Sequence, residues 1–316
     1  MSSLLRSYAQ RQDKKAVPPY DVASVRYNQP TRQDMAVVLA FFNPANSFRI
    51  VQNLYTVKQL LEMADIPVYI GEVAHAEKPF VLQAAPNIYQ YRTSSIMFYK
   101  ENIMAQVIRH IPDRFKKVLL LDADILFADP DWYDKVSESL DTFEVVQPFL
   151  RAFQLDISFR VRSIKESIFT DKVKNNTTHQ GYAWAFQRAW LDANPLFEYA
   201  LVGGGDTMVY NSLTRHRSTI NAYAADISKR EREGEHVSCM SVPLDIIHLP
   251  HGSIENRQYG TRHTMIVEFM TRHKLTRLSD AVYRRPDGIF EWRREYRDLI
   301  HEPLLAYFLG RNDDGI

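Results

Sequence analysis

The feature that most constrains this chain is a short, wholly apolar run that ends in charge: Val118-Leu119-Leu120-Leu121, followed at once by Asp122-Ala123-Asp124. A run this short, with no polar alternation, suits a strand buried on both faces, as in a parallel sheet covered by helices. The same reading applies to MAVVLAFF, Met35 to Phe42, which is closed by Asn43-Pro44, and to Pro67 to Val73. Segments of helical period lie between these runs. Ile50, Leu54, Val57 and Leu61 fall on one face of a helix that Asn46 or Ser47 can cap. Met104, Val107, Ile108 and Ile111 form one stripe of a helix predicted from Tyr99 to Ile111, which stops before Pro112. Strand, helix, strand, helix, strand is the order of a sheet with right-handed crossovers, so the fold class is α/β: a mostly parallel, Rossmann-like sheet flanked by helices. Such sheets bind ligands beyond the carboxyl ends of their strands, where Asp122 falls.

Beyond this unit, EVVQPF (Glu144 to Phe149) reads as a strand, residues 152–180 show no clean period, and VPLDIIHL reads as a last strand ending at His248. Ile289 to Leu309 reads as a terminal helix, apolar at Ile289, Trp292, Tyr296 and Ile300, and Ser228 to Glu235 as a charged, helix-like stretch. The organisation expected is a polar N-terminal arm (1–34) broken by Pro18-Pro19, an α/β domain (35–270) and a C-terminal helical extension packed on it (271–316). With 316 residues, 45% of them hydrophobic, the chain can bury a full-sized core. One cysteine, Cys239, leaves no internal disulfide, and neither a leader-like apolar segment nor a run of ~18 apolar residues is evident, so a cytoplasmic, soluble protein is expected. The overlapping sequons at Asn175-Asn176-Thr177-Thr178 then read as a polar loop. The formal charge of +1 supplies no general attraction to polyanions. Arg6, Arg11, Lys14 and Lys15 form one basic cluster, and Glu231, Glu233 and Glu235 interleave with Lys229, Arg230 and Arg232 in another, so nucleic acid is not the expected partner.

Two Asp-x-Asp triplets stand close together, and their contexts differ. Asp129-Pro130-Asp131 sits in a turn setting before the helix-like segment at Trp132, which makes it a turn and cap. Asp122 and Asp124 follow a buried strand, where carboxylates need an ion or donors to satisfy them. Residues i and i+2 leaving a strand can aim oxygens into one pocket, a donor set suited to Mg²⁺ or Mn²⁺ carrying phosphate oxygens. His248 and His251, three apart after an apolar strand, are either structural or further ligands, and imidazole beside carboxylate favours Mn²⁺. Gly203-Gly204-Gly205 permits close approach to a ligand or only a tight turn. Asp206, next to it, reads equally as a general base or as a helix cap. Trp184 is a core residue by default and a sugar platform as the alternative.

Taken together and in order, VLLLDADILF, GYAWAF, LVGGGD and HLPHGS resemble the GT-A superfamily of nucleotide-sugar-dependent glycosyltransferases, and most of all the inverting galactosyltransferase type. The likeness runs from Met35 to about Thr264. It implies Asp124 as a direct metal ligand, Asp122 nearer the donor ribose or metal water, His251 with His248 completing the metal site, and Asp206 as the base. It also implies nucleotide contacts from Phe42, Asn43, Pro44, Glu72, Lys100, Asp122 and Ala123, and sugar contacts from Trp184, Gly203, Gly204 and Gly205. The chain departs from the pattern in two ways. Gly205 stands where the first of two acids is expected, and the arginines that hold the diphosphate have no clear counterpart, Arg92 being the nearest.

The expected function is therefore metal-dependent transfer of a sugar from a nucleotide sugar, UDP-linked by resemblance and with inversion, to a hydroxyl acceptor. The alternatives are an Asp-x-Asp phosphatase or phosphotransferase and a non-catalytic nucleotide-sugar-binding protein. The phosphatase reading leaves the histidine pair and the Gly-Gly-Gly-Asp segment without a task.

Overall fold

In the computed structural model the described residues are 19–170, 178–213, 221–227, 237–252, 255–258 and 261–315. Both apolar runs are strands, and they lie side by side. β1 (Met35–Phe42) pairs in parallel with β4 (Lys117–Leu121), Met35 opposite Lys117 and Leu39 opposite Leu121. On the other side of β1 come β2 (Val68–His75) and β3 (Ile88–Thr93), also parallel. Beyond β4 lie β10 (Ala183–Gln187), then β6 (Val145–Gln147) and β11 (Cys239–Ser241). β10 runs antiparallel to both β4 and β6, and β6 and β11 are parallel, so β10 is the reversed strand in an otherwise parallel sheet.

Uniform hydrophobicity in β1 and β4 follows from burial on both faces. Ala36, Val38, Val118 and Leu120 point into one core with α2 (Lys100–Ile108), α5 (Gly205–Leu213), α6 (Arg262–Arg272) and α7 (Arg294–Gly310). Val37, Leu39, Leu119 and Leu121 point into a second core with α1 (Phe48–Met63) and α3 (Trp132–Thr142). Ser47 caps α1 by accepting from the Ile50 N–H, and Leu54, Val57 and Leu61 are its buried face. Gly71 on β2 lets α2 lie close, since a Cβ there would stand 2.2 Å from Ile103 Cγ2. A short helix, α4 (Arg188–Ala193), follows β10.

A second sheet stands at the carboxyl edge of the first. Its order is β5 (Ile125–Phe127), β12 (Asp245–His248), β7 (Arg151–Leu155), β8 (Val161–Ser167) and β9 (Thr178–His179). Within residues 152–180, expected to lack regular structure, β7 and β8 thus form an antiparallel pair, with register shifting between Gln154 and Leu155. The segment 171–177, with the Asn175 and Asn176 sequons, lies outside the described residues, as does the stretch from Ser228 to Glu235. The terminal helix begins later than expected. Phe290–Trp292 is instead a strand, β14, paired with β13 (Val282–Arg284), and α7 starts at Arg294.

Of the polar arm, residues 19–34 are packed rather than loose: Tyr20 and Val25 are buried, Tyr20 N donates to Phe159 O, and the Thr31 and Arg32 amides donate to Asp134. Arg6, Arg11, Lys14 and Lys15 lie outside the described residues. The C-terminal extension shares the main core, since Leu278, Trp292, Ile300 and Leu304 belong to the same cluster as Val118 and Trp184. Among the described residues no helix is long and apolar enough to cross a membrane.

Candidate active site

Asp122-Ala123-Asp124 is the joint between the two sheets. β4 ends at Leu121 in the parallel sheet and β5 begins at Ile125 in the second, so these residues carry the chain from one to the other. The register places the histidines. β12 runs antiparallel to β5 with His248 opposite Ile125, and Leu249 N donates to Asp124 O at 2.8 Å. His248 therefore emerges beside Asp124, and His251 follows it past the strand end. His251 Nε2 is 2.6 Å from Asp124 Oδ2, His248 Nε2 is 3.6 Å from the same oxygen, and the two imidazole nitrogens are 3.3 Å apart.

These three residues can each present one ligand atom within 4.8 Å of the others. Their electrostatics suit a cation. Burial raises the Asp124 carboxyl, but His248, His251 and Arg257 outweigh it and hold it well below the usual carboxylate range. Burial, against the pull of Asp124, holds His248 well below its ordinary value and hence neutral, the form that ligates metals. Asp124 Oδ1 is buried and has no hydrogen-bond partner among the described residues, so it is the atom such an ion would satisfy. Behind the cluster, Asp313 Oδ1 lies 3.2 Å from His251 Nδ1, and the Asp313 carbonyl accepts from the Gly252 amide at 2.9 Å. A carboxylate on the far nitrogen of a ligating histidine fixes its tautomer and orientation.

The other half of the site is built around Lys100. Its Nζ lies 2.6 Å from Asp122 Oδ1 and 3.1 Å from Asp206 Oδ1, one ammonium between two carboxylates. Burial lowers the lysine, but Asp122 and Asp206 overcome this and raise it well above its ordinary value. Burial, with Asp206 and Asp124 adding and Lys100 opposing, pushes Asp122 up to about 6. Gly203 and Gly204 have φ of +87° and +99°, which swing the backbone into α5 so that Asp206 falls in its first turn, facing the cavity. Asp206 is thus both a first-turn acid and a site residue.

These groups line a cavity of about 900 Å³. Phe42, Asn43, Pro44, Ala123 and Gly204 line it as well, with the Asn43 side chain tied to the Ser47 backbone. Five residues named from the sequence fall elsewhere. Trp184 is 2% exposed in the main core and donates its Nε1–H to Gln180 O, which corrects its reading as a sugar platform. Glu72 is 1% exposed, and its carboxylate accepts from the Val81 and Leu82 amides and the Gln90 side chain, so it braces a loop instead of facing a nucleotide. Gly203 stands behind the cavity wall, its carbonyl accepting from Tyr223 Oη–H, and Gly205 packs on Glu101. Arg92 donates to Ala76 O and Lys78 O away from the cavity, whereas Arg257 and Arg311 line it beside the histidines. In the second triplet, Asp129 Oδ1 accepts from Asp131 N, a turn as expected, and Asp131 precedes α3 without capping it through its side chain.

The site also holds residues that the sequence did not single out. His179 and Tyr182 stack at 4.0 Å and line the cavity, Tyr182 with an unusual φ of +83° that turns the chain into β10. Burial pushes His179 down to about 4. Asp313 is far from the motifs in sequence, whereas Glu101 is next to Lys100 and Arg257 six residues after His251, and none of the three carries a local signal of its own.

Fold and site together define an α/β protein whose parallel sheet presents a carboxylate–imidazole cluster and a lysine-bridged acid pair at one strand-end cavity. No family model and no curated protein matches the sequence. Among solved structures, the chain is similar to the catalytic domain of Drosophila beta1,4-galactosyltransferase 7 with xylobiose, at 12% identity and a TM-score of 0.33, over 56% of this chain and 58% of that one. It is also similar to mannosyl-3-phosphoglycerate synthase from Rubrobacter xylanophilus (14% identity, TM-score 0.36, 94% and 98% of the chains). A third is Mycobacterium tuberculosis glucosyl-3-phosphoglycerate synthase (10%, 0.38, 81% and 85%). Likenesses this loose assign no chemistry, which rests on the side chains above.

Proposed function

We propose that the chain is a GT-A-type glycosyltransferase that moves a sugar from a nucleotide sugar, UDP-linked, to a hydroxyl acceptor with inversion, and that Mn²⁺ or Mg²⁺ serves it. The observation that carries this reading is the convergence of Asp124, His248 and His251 on one point at the carboxyl edge of the sheet, with the Asp124 Oδ1 unpaired. These three residues would hold the ion. When bound, it would offset the charge that a departing diphosphate acquires.

The remaining roles belong to the chain's own groups. Asp206, in the first turn of α5 with its side chain 30% exposed to the cavity, is placed to accept the proton of an acceptor hydroxyl. Lys100 fixes the spacing of Asp206 from Asp122. Arg257 and Arg311 supply positive charge on the histidine side, where phosphate oxygens would lie. The histidine pair is engaged with Asp124, which gives it a task that the phosphatase reading does not.

A thermal-shift panel of nucleotide sugars with and without Mn²⁺ tests this reading, because a ligand that binds only the folded state raises its stability. A metal-dependent shift selective for one nucleotide sugar is expected. No shift with any of them would overturn the proposal.

A further inference from the structure

We propose that Glu101 recognises a hydroxyl of the donor sugar on the floor of the cavity, beneath Asp206. The inference rests on the transfer reading above and adds the group that grips the sugar. Glu101 is the second residue of α2, adjacent to Lys100, and it lines the cavity although only 5% exposed. Its Oε2 is buried and has no hydrogen-bond partner among the described residues. Native structures rarely leave such an oxygen unpaired unless a ligand or water meets it.

The fold makes room for this carboxyl. A Cβ at position 205 would lie 2.0 Å from Glu101 Oε1, so any side chain there would displace it. Gly205 is therefore a cradle for Glu101, and this also accounts for the lack of an acid at that position. Burial pushes Glu101 up to about 8, with Asp206 and Asp122 adding to the effect and Lys100 opposing it. At neutral pH the group holds its proton, so it can donate one hydrogen bond and accept another. A neutral hydroxyl matches both capacities, and a phosphate or carboxylate does not. Depth assigns the hydroxyl to the donor: Glu101 is on the floor, while Asp206, with 30% of its side chain exposed, stands nearer the mouth, where an acceptor arrives.

The test compares the affinities of UDP, UDP-glucose and UDP-galactose, each with Mn²⁺, by calorimetric titration of the full chain and of Glu101→Gln and Glu101→Leu. The wild-type chain should bind one UDP-sugar more tightly than UDP. Glu101→Leu should shrink that preference by roughly five- to tenfold, the worth of one such hydrogen bond, while UDP itself stays within about twofold. Glu101→Gln, which keeps a donor and an acceptor, should retain most of the preference. If Glu101→Leu does not fold, Gly205→Ala displaces the carboxyl from the other side and should show the same selective loss. An undiminished preference in these variants overturns the role of Glu101 and leaves the transfer reading intact, and so does a wild-type chain that binds UDP and both UDP-sugars equally. A wild-type chain that binds none of the three overturns both.

Discussion

At the scale of single residues, the site separates two kinds of carboxyl. The surroundings of Asp124, His248, His251 and Arg257 among them, hold it well below the usual carboxylate range, whereas burial, with Asp206 and Asp122 adding, pushes Glu101 up to about 8. This difference has a measurable consequence for stability. Glu101 titrates at about 8 when folded and near the ordinary glutamate value of 4.5 when unfolded. Its folded pKa is raised, so the folded state keeps a proton that the unfolded chain releases, and stability falls as pH rises from about 4.5 to 8. Glu101→Gln removes that dependence. Its stability relative to the wild-type chain should be smallest near pH 5 and should improve towards pH 8 by an amount on the order of 2–4 kcal/mol, read by chemical denaturation at each pH. A constant difference across that range would contradict the protonation state assigned here. For Asp206→Asn, turnover should fall by about 10³-fold or more while UDP affinity in Mn²⁺ stays within about twofold. Retained turnover would remove Asp206 from the role of base. The residue types were legible in the sequence for Asp122, Asp124, Asp206 and the histidines, because each follows a strand or a glycine turn. Glu101 was not, since a Lys-Glu pair opening a helix looks like any solvated first turn.

At the scale of elements, strands buried on both faces were the most legible. Met35 to Phe42 has the bounds expected of it, and the run Val118 to Leu121 is a strand ending at Leu121 as expected, because both faces of these strands pack into cores. β3 passed unnoticed because its residues are mostly half-buried and polar at the sheet edge, IYQYRT, with neither alternation nor a continuous run. The ribbon at β14 was read as helix because Ile289, Trp292, Tyr296 and Ile300 fit helical spacing, yet Phe290 and Trp292 are buried from an extended strand. Nor does sequence spacing reveal that β12 belongs to a second sheet. His248 meets Asp124 through its pairing with β5, a contact between residues 124 positions apart. α2 connects fold to function most directly, since it carries both Lys100 and Glu101 and packs on Gly71. Gly71→Ala should cost about 2–3 kcal/mol in denaturant unfolding, because the added methyl meets Ile103 and Val107. It should also reduce turnover by shifting α2. A neutral substitution would show that α2 can move without loss.

At the scale of the whole molecule, the site depends on pieces from both ends of the described chain. The segment after α7 returns to the cavity, where Asp313 backs His251 and Asp314 accepts from Ser47 Oγ at the start of α1. The C-terminal extension is thus a wall of the site as well as a part of the core. Asp313→Ala should weaken Mn²⁺ binding about 10- to 100-fold, as removal of the partner behind a ligating histidine does, with little change in UDP affinity measured at saturating metal. Unchanged Mn²⁺ affinity would mean that Asp313 holds the loop but does not orient His251. The central claim is that Asp124, His248 and His251 form one divalent-metal site, and calorimetric titration of Mn²⁺ into the wild-type chain and His251→Ala in the presence of UDP tests it most directly. The expected result is one ion bound per wild-type chain and none at the same concentrations in the variant; equal binding by the two proteins, or no binding by either, would contradict it.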